Sequence, residues 1–285
     1  MKLALIIAIY DRNDLERITL SRFKDQSKKF GFEIIVAGSE GNISKAIAKG
    51  CHYIEVPNNP LSNKHNALIK KAQELNVDGV VLMGSDDMVN DEYWQWVLTL
   101  SKDETKLIGL SDLYFYSTYR KSLYYFDKNK QGQSIGAGRF FSKYVLDKME
   151  WKLWDNGLPK SLDRNCSERL HMQGIGEQIH SMDSLNVFLL DVKHTRSVTN
   201  QEIVNNCEVI NIEIMAKKLG KKDADKVEAL ENDVQIFEEI NFPFSDNEDV
   251  KVIGLVSKYL IEGEEYIVSG SDAKVLLRKK AVKLA

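Results

Sequence analysis

Over roughly the first 90 residues, short apolar runs alternate regularly with helical segments, and this alternation most restricts what the chain can fold into. Continuous aliphatic runs occupy residues 3–9 (LALIIAI), 32–37 (FEIIVA) and 77–83 (VDGVVLM). Such runs are typical of strands buried on both faces of a parallel sheet. Between them apolar residues recur at helical spacing, as at Leu68 and Leu75. The pattern predicts an α/β fold with a doubly wound, mostly parallel sheet flanked by helices.

The composition limits the class of protein and its surroundings. Of 285 residues, 43% are hydrophobic and 28% are charged, which suits a globular core and excludes intrinsic disorder. A net charge of -3 does not indicate binding to nucleic acid or to an anionic membrane. No apolar run approaches the roughly 18 residues of a membrane span, and we interpret residues 3–9 as a strand, not a signal peptide. The three separated cysteines favour a reducing compartment, so we expect a cytoplasmic protein without membrane association.

Changes of pattern along the chain predict three parts. Aromatic, strand-like residues at 107–126 precede a segment at 139–155 that looks helical, and residues 206–240 are polar, charged and helical. The last part contains short strand-like runs separated by Gly263 and Gly270. We therefore predict a main domain over 1–205, a helical extension or connector over 206–248, and a small all-β module over 249–285.

The loops after the strands are the expected binding site. In doubly wound sheets ligands bind beyond the carboxyl ends of the strands, and the loops at 10–14, 38–41 and 84–87 follow three of the predicted strands. No Rossmann glycine fingerprint or P-loop motif is present, and Gly136-Ala137-Gly138 is a lone turn-like GxG. These loops should therefore line one crevice that lacks the common glycine-rich phosphate motifs.

The segment Gly84-Ser85-Asp86-Asp87 is the sharpest chemical feature, because it places two adjacent carboxylates directly after a buried strand. Adjacent carboxylates repel each other unless a positive charge lies beside them. Mg²⁺ and Mn²⁺ are held by one or two carboxylates together with substrate phosphates. The segment is therefore a candidate metal site; the alternatives are a solvated turn or the N-cap of a helix at 91–100.

Several motifs in order carry a resemblance to a known family. LIIAIYDR, EIIVAGSEG, a helix start at Lys64-His65-Asn66, and VVLMGSDDMV together resemble the GT-A fold glycosyltransferases, most of all glycosyltransferase family 2. The resemblance covers roughly residues 3–200. It implies a GT-A-like sheet, a nucleotide-diphosphate sugar as donor (a UDP-sugar is the first choice), and Mn²⁺ or Mg²⁺ as cofactor.

The resemblance also implies roles for individual residues. Donor contacts are expected from Tyr10, Arg12, Ser39, Glu40, Lys64, Asn66, Ser85 and Arg139. Asp86 matches the metal ligand of the family's DxD motif, with Asp87 as its neighbour, whereas Gly84 stands where the first Asp of that motif is usual. Ser39 and Glu40 replace the usual Asp pair that binds the base, which leaves the identity of the base open.

Three later residues extend this set, each with an alternative. Asp163 matches the general base that would accept the proton of an acceptor hydroxyl; it could instead be a helix N-cap. His194 matches a histidine that many GT-A enzymes use as a metal ligand, or it is a surface residue. Arg139 could neutralise a phosphate or pair with a surface acid.

These expectations combine into one predicted function with two alternatives. The chain is predicted to be a metal-dependent glycosyltransferase that inverts the anomeric centre, with Asp163 as base. The acceptor stays open between a glycan, a protein and a modified DNA base. One alternative is a non-catalytic protein that binds a sugar or nucleotide. The other is a nucleotidyltransferase, which is disfavoured because the loop at 10–14 has no glycine.

Overall fold

The computed structural model divides into two compact units, Met1–Glu231 and Asn232–Ala285. The residues that the structure describes are 1–127, 132–193, 207–230, 249–254, 265–269 and 282–284. His194 and residues 231–248, the second part of the predicted connector, lie outside these ranges.

The elements of the first unit alternate between strands and helices as the amino-terminal pattern predicts. The strands are β1 Leu3–Ala8, β2 Glu33–Gly38, β3 His52–Glu55, β4 Gly79–Gly84, β5 Asp87–Val89, β6 Leu107–Leu110, β7 Asp112–Ser117, β8 Ser122–Asp127, β9 Arg139–Ser142, β10 Glu177–His180, β11 Leu189–Lys193 and β12 Glu208–Ile210. The helices are α1 Asn13–Phe30, α2 Asn42–Ile47, α3 Leu61–Glu74, α4 Asp91–Val97, α5 Lys143–Lys148, α6 Leu162–Met172, α7 Met182–Leu185, α8 Glu213–Leu219 and α9 Lys221–Glu228.

A seven-stranded, mostly parallel sheet forms the centre of this unit, which confirms the predicted fold class. Its order is β10-β6-β9-β4-β1-β2-β3, and β9 runs antiparallel to both of its neighbours. The pairs β1–β2, β1–β4, β2–β3 and β6–β10 are parallel. The carboxyl ends of β1, β2 and β4 therefore meet at the same edge of the sheet.

Both faces of the central strand β1 are buried, which explains its unbroken aliphatic sequence. Leu5 and Ile7 belong to one hydrophobic core, and Ala4 and Ile6 belong to a second core on the other face. Phe23 of α1 packs in the first core, whereas α3 packs in the second. Helices thus cover the sheet on both sides, as a doubly wound fold requires.

A second sheet, of five strands, was not predicted, and it reaches the end of β4 through a very short connection. Its order is β12-β8-β7-β11-β5, and β5 begins at Asp87, three residues after β4 ends at Gly84. In the antiparallel pair of β5 with β11, Asp87 lies opposite Asp191. This pairing brings a late segment of the chain to the predicted metal site.

Two segments differ from their predicted structure. Residues 139–142 are strand β9 and not helix, because Phe140 and Phe141 are buried in the two opposite cores, an alternation that only a strand provides. After residue 205 the chain adds β12 to the second sheet before it forms α8 and α9. Arg22 of α1 binds Asp223 of α9 at 2.6 Å, and the first compact unit extends to Glu231.

The second unit contains a small β-sheet, as predicted for the carboxyl-terminal module. Strand β13 (Asp249–Gly254) pairs antiparallel with β14 (Glu265–Ser269) and with β15 (Val282–Leu284). Within the described part of the chain, no helix combines the length and apolar character that a membrane span needs.

Candidate functional site

The loops after β1 and β4 are joined by the side chain of Arg12. Its guanidinium donates to Ser85 Oγ at 2.7 Å and forms an ion pair with Asp86. Both side chains of the ion pair are mostly buried. Arg12, Ser85 and Asp86, which the motifs place in one site, therefore lie in contact.

Three carboxylates meet beside this contact and form the acidic cluster, defined as Asp86, Asp87 and Asp191. One oxygen from each of them lies within 4.8 Å of the others. Asp87 is buried and accepts a hydrogen bond from the backbone N–H of Gly84, and Asp191 comes from β11. The sequence motifs identify the first two members, whereas the pairing of β11 with β5 supplies the third.

Two basic side chains partly neutralise the acidic cluster. Arg12 binds Asp86, and the Lys193 ammonium donates to Asp191 Oδ2 at 2.5 Å. Lys193 is only 3% exposed, and its Nζ lies 4.8 Å from the centre of the Phe115 ring. The sequence analysis gave Lys193 no role. Its one signal is its position two residues after Asp191 on a strand, which puts both side chains on the same face.

The surroundings of the three carboxyl groups shift their pKa values in different directions. Burial raises the pKa of Asp87 well above its usual value, and the neighbouring Asp191 and Asp86 raise it further. Burial also raises the pKa of Asp191 to about 6, although Lys193 opposes the shift. For Asp86, burial is outweighed by Arg12 and Lys193, so its pKa is lowered. Asp86 is therefore the firmly ionised member of the cluster.

The donor set of the acidic cluster fits a hard divalent cation. Carboxylate oxygens are the ligands that Mg²⁺ and Mn²⁺ prefer. In addition, Asp191 Oδ1 is a buried oxygen that lacks a hydrogen-bond partner among the described residues. A buried, unsatisfied oxygen costs free energy that a cation would recover. His194, the third predicted ligand, lies outside the described residues.

A second buried lysine, Lys64, binds the backbone just after the end of β1. We define the region around it as the crevice floor, which consists of Ile9, Glu16, Ser39, Asn58 and Lys64. Lys64 is 0% exposed, and its Nζ donates to Ile9 O at 2.7 Å, Ser39 Oγ at 3.1 Å and Asn58 Oδ1 at 3.1 Å. A lysine ammonium has three donors, and all three are used here. Lys64 therefore joins the ends of β1 and β2, and its predicted contact with the donor stays a prediction.

Glu16 is a member of the crevice floor that the sequence analysis missed. It is 0% exposed, and its Oε1 accepts the backbone N–H of Tyr10 at 2.6 Å. Its Oε2 is buried and has no hydrogen-bond partner within the part of the chain that the structure describes. Burial raises the pKa of Glu16 to about 7 and lowers the pKa of Lys64 to about 8. A carboxylate directly after Leu15 on the apolar face of α1 is the sequence signal that could have identified it.

The predicted nucleotide-side residues Tyr10 and Glu40 lie in two loops, after β1 and β2, that a hydrogen bond connects. Tyr10 is 47% exposed, and its ring centre is 5.9 Å from Lys64 Nζ. Glu40 accepts the backbone N–H of Asp11 at 3.0 Å, which ties the loop after β1 to the loop after β2. An exposed aromatic ring above an ordered polar loop leaves one ring face available for stacking.

Asn66 and Arg139, two of the predicted donor-contact residues, have structural contacts within the protein. The Asn66 amide donates to Trp154 O at 2.8 Å and accepts from Trp154 N at 3.2 Å, so it anchors the segment before α6. Arg139 is 1% exposed and donates to the backbone oxygens of Ile135, Asp163 and Ser134. These contacts give both side chains a structural role, and their predicted donor contacts stay predictions.

Asp163 lies in the first turn of α6 with an exposed side chain, and Ser161 takes the N-cap position. Its carboxylate packs against Gly136, where an added Cβ would lie 2.3 Å from Asp163 Oδ1. The nearby Gly138 N donates to Leu82 O at 2.8 Å, near the end of β4. Asp163 is therefore at the same edge of the sheet as the acidic cluster.

Comparison with protein-family models and with curated proteins finds no match. Solved structures with a similar fold include a mannosyltransferase from Pyrobaculum calidifontis in complex with GDP-Man and Mn²⁺, at 12% identity and a TM-score of 0.48, covering 69% of this chain and 58% of that one. A glycosyltransferase involved in glycosylation of the major capsid of PBCV-1 is 11% identical with a TM-score of 0.41, covering 72% and 98%. A CMP:2-keto-3-deoxy-manno-octonic acid synthetase with CTP is 13% identical with a TM-score of 0.41, covering 64% and 90%.

All three TM-scores lie below 0.5, so the function proposed next rests on the residues of the site.

Proposed function

We propose that this protein is a metal-dependent glycosyltransferase that moves a sugar from a nucleotide-diphosphate sugar to an acceptor hydroxyl. The observation that carries the proposal is the meeting of Asp86, Asp87 and Asp191 with Arg12 at the carboxyl end of β4. Ligands of doubly wound sheets bind at this edge. Carboxylates that hold a divalent cation together with substrate phosphates suit a diphosphate leaving group.

The acidic cluster would hold Mn²⁺ or Mg²⁺, and the bound cation would stabilise the negative charge that develops on the leaving diphosphate. Asp86 would be the principal ligand because its pKa is lowered, which keeps it ionised. Arg12 would orient Asp86 and Ser85. On the nucleotide side, Tyr10 offers an exposed ring for stacking, and Ser39 and Glu40 lie in the neighbouring loop.

Asp163 would act as the general base on the acceptor side. Its exposed carboxylate can accept the proton of the acceptor hydroxyl as that oxygen attacks the anomeric carbon, which inverts the configuration. Gly136 permits this placement because any side chain there would occupy the position of the carboxylate. A screen of acceptors would identify whether the sugar is transferred to a glycan, a protein or a modified DNA base.

The test is calorimetric titration of UDP, GDP and TDP with and without Mn²⁺, followed by an assay of nucleotide-sugar hydrolysis. We expect one nucleotide to bind in a metal-dependent manner, and we expect Asp86→Ala to abolish this binding. Asp147→Ala is the matched control, because Asp147 is an exposed carboxylate that pairs with Lys143 on α5. Absence of nucleotide binding in the folded protein would reject the transferase. Metal-independent binding without hydrolysis would favour a non-catalytic binding protein.

A further inference from the structure

Lys193 is a cation enclosed by the carboxylates that would hold the metal. Its Nζ donates to Asp191 at 2.5 Å, and it also interacts electrostatically with Asp86 and Asp87. The side chain is 3% exposed. A buried lysine beside three carboxylates contributes the positive charge that such a cluster requires when no metal is bound.

The balance of charge on metal binding predicts that Lys193 and a divalent cation compete. Carboxylates bind a metal in their ionised form. The fully ionised acidic cluster carries three negative charges against two positive ones from Arg12 and Lys193. Adding a divalent cation would give four positive charges against three negative ones in a mostly buried site. If Lys193 leaves, the remaining charges balance. A divalent cation on Asp191 would repel the ammonium of Lys193 strongly, because both charges would share one carboxylate in a mostly buried site.

We propose that Lys193 is a built-in counter-ion that occupies the acidic cluster without metal and leaves Asp191 when a divalent cation binds. This inference rests on the proposed metal-dependent function. It identifies Lys193 as a positioning residue that sets metal affinity and keeps the carboxylates ordered before the metal arrives.

The contacts of Lys193 permit such a movement of the side chain alone. Its backbone is held in β11, where Lys193 O accepts from Thr118 N at 3.1 Å. Within the described residues, its ammonium has one hydrogen bond, to Asp191, and lies over the Phe115 ring. Lys64, in contrast, uses all three donors on neutral oxygens. Displacement of the Lys193 ammonium from Asp191 by a cation therefore breaks one charged contact and leaves strand β11 in place.

The first experiment measures Mn²⁺ affinity by electron paramagnetic resonance of the free ion. We expect Lys193→Met to bind Mn²⁺ about tenfold more tightly or better, since one competing charge is removed. Lys193→Arg keeps the charge and should bind within about threefold of the wild-type protein. Lys143→Met removes a charge from the exposed surface of α5 and is the control, with unchanged affinity. Equal or weaker binding by Lys193→Met would overturn the inference.

A second experiment uses the wild-type protein, so that it does not depend on the folding of a variant. Reductive methylation with formaldehyde, mapped by peptide mass, should label Lys193 at least fivefold more in saturating Mg²⁺ than without it. Lys64 is the internal control and should stay protected in both conditions. Saturation is checked by displacement of bound Mn²⁺.

Protection of Lys193 in the Mg²⁺-bound protein would overturn the inference while leaving the proposed function intact. Failure of both the wild-type protein and Lys193→Met to bind Mn²⁺ would reject the metal site, and the inference with it.

Discussion

The crevice floor and the acidic cluster each bury a lysine, but the two lysines have opposite surroundings. Lys64 is bonded to three neutral oxygens, and burial lowers its pKa to about 8. Lys193 is bonded to a carboxylate, and the pull of Asp191 and Asp86 outweighs burial and raises its pKa. The ammonium of Lys64 is therefore stabilised by hydrogen bonds that join the ends of β1 and β2. Lys193, in contrast, balances the negative charge of a candidate metal site.

The difference shows how burial alone is insufficient to assign a role to a charged residue. The sequence motifs predict a donor contact for Lys64 and give Lys193 no role. In the structure, the partners of Lys64 give it a structural contact, and those of Lys193 place it in the acidic cluster. A lysine with every donor satisfied by the protein is a structural element, and one with a single exchangeable carboxylate can yield to a competing cation.

Removal of the principal carboxylate of the acidic cluster should have the largest effect. Asp86→Asn should lower metal-dependent turnover of the nucleotide sugar by about 100-fold or more, because the firmly ionised ligand is lost. Initial rates at saturating Mn²⁺ measure the effect. Asp147→Asn, on the surface of α5, should keep wild-type rates. Turnover within threefold of wild type in Asp86→Asn would show that the acidic cluster is not the metal site.

Removal of the floor lysine should instead affect folding. Lys64→Met should lower the free energy of unfolding by about 3 kcal/mol, because three oxygens of the floor lose their shared donor. Urea denaturation measures this change. The surface variant Lys143→Met should stay within about 0.5 kcal/mol of the wild-type protein. A loss below about 1 kcal/mol in Lys64→Met would contradict the structural role assigned to Lys64.

The stability of the crevice floor should depend on pH through Glu16. Burial raises the pKa of Glu16 from 4.5 to about 7, so the folded protein binds this proton more tightly than the unfolded chain. Its contribution to stability is therefore greatest below pH 4.5 and falls as the pH rises to about 7. Relative to Glu16→Gln, which cannot ionise, the wild-type protein should lose roughly 2 kcal/mol between about pH 5 and 8. Parallel urea titrations that show a constant difference between the two proteins would contradict this prediction.

The smallest effect is expected on the acceptor side. In Gly136→Ala the new Cβ would lie 2.3 Å from Asp163 Oδ1, so the exposed Asp163 side chain must move. We expect about a tenfold slower transfer with the free energy of unfolding changed by less than about 1 kcal/mol, since a surface side chain relaxes easily. Gly176→Ala is the control, because no atom lies within 4 Å of its added Cβ. Transfer at the wild-type rate in Gly136→Ala would argue against Asp163 as the base.

Local sequence patterns predict the amino-terminal half of the fold. The aliphatic runs identify β1, β2 and β4, because strands covered on both faces must be apolar throughout. The segment at 139–142 was misassigned because two adjacent phenylalanines fit either a helix or a strand. Only the presence of cores on both sides of β9 decides between them.

The local sequence pattern is sufficient to predict that polar loops follow β1, β2 and β4 and that Asp86 and Asp87 come directly after the fourth strand of that half. These are local features, and parallel strands bring their ends to one edge. Only the tertiary structure decided that Asp191 and Lys193 join them, through the pairing of β11 with β5, and that Asp163 packs on Gly136. The physical reason is that contacts between distant segments depend on strand register and on the packing of side chains, which no local pattern encodes.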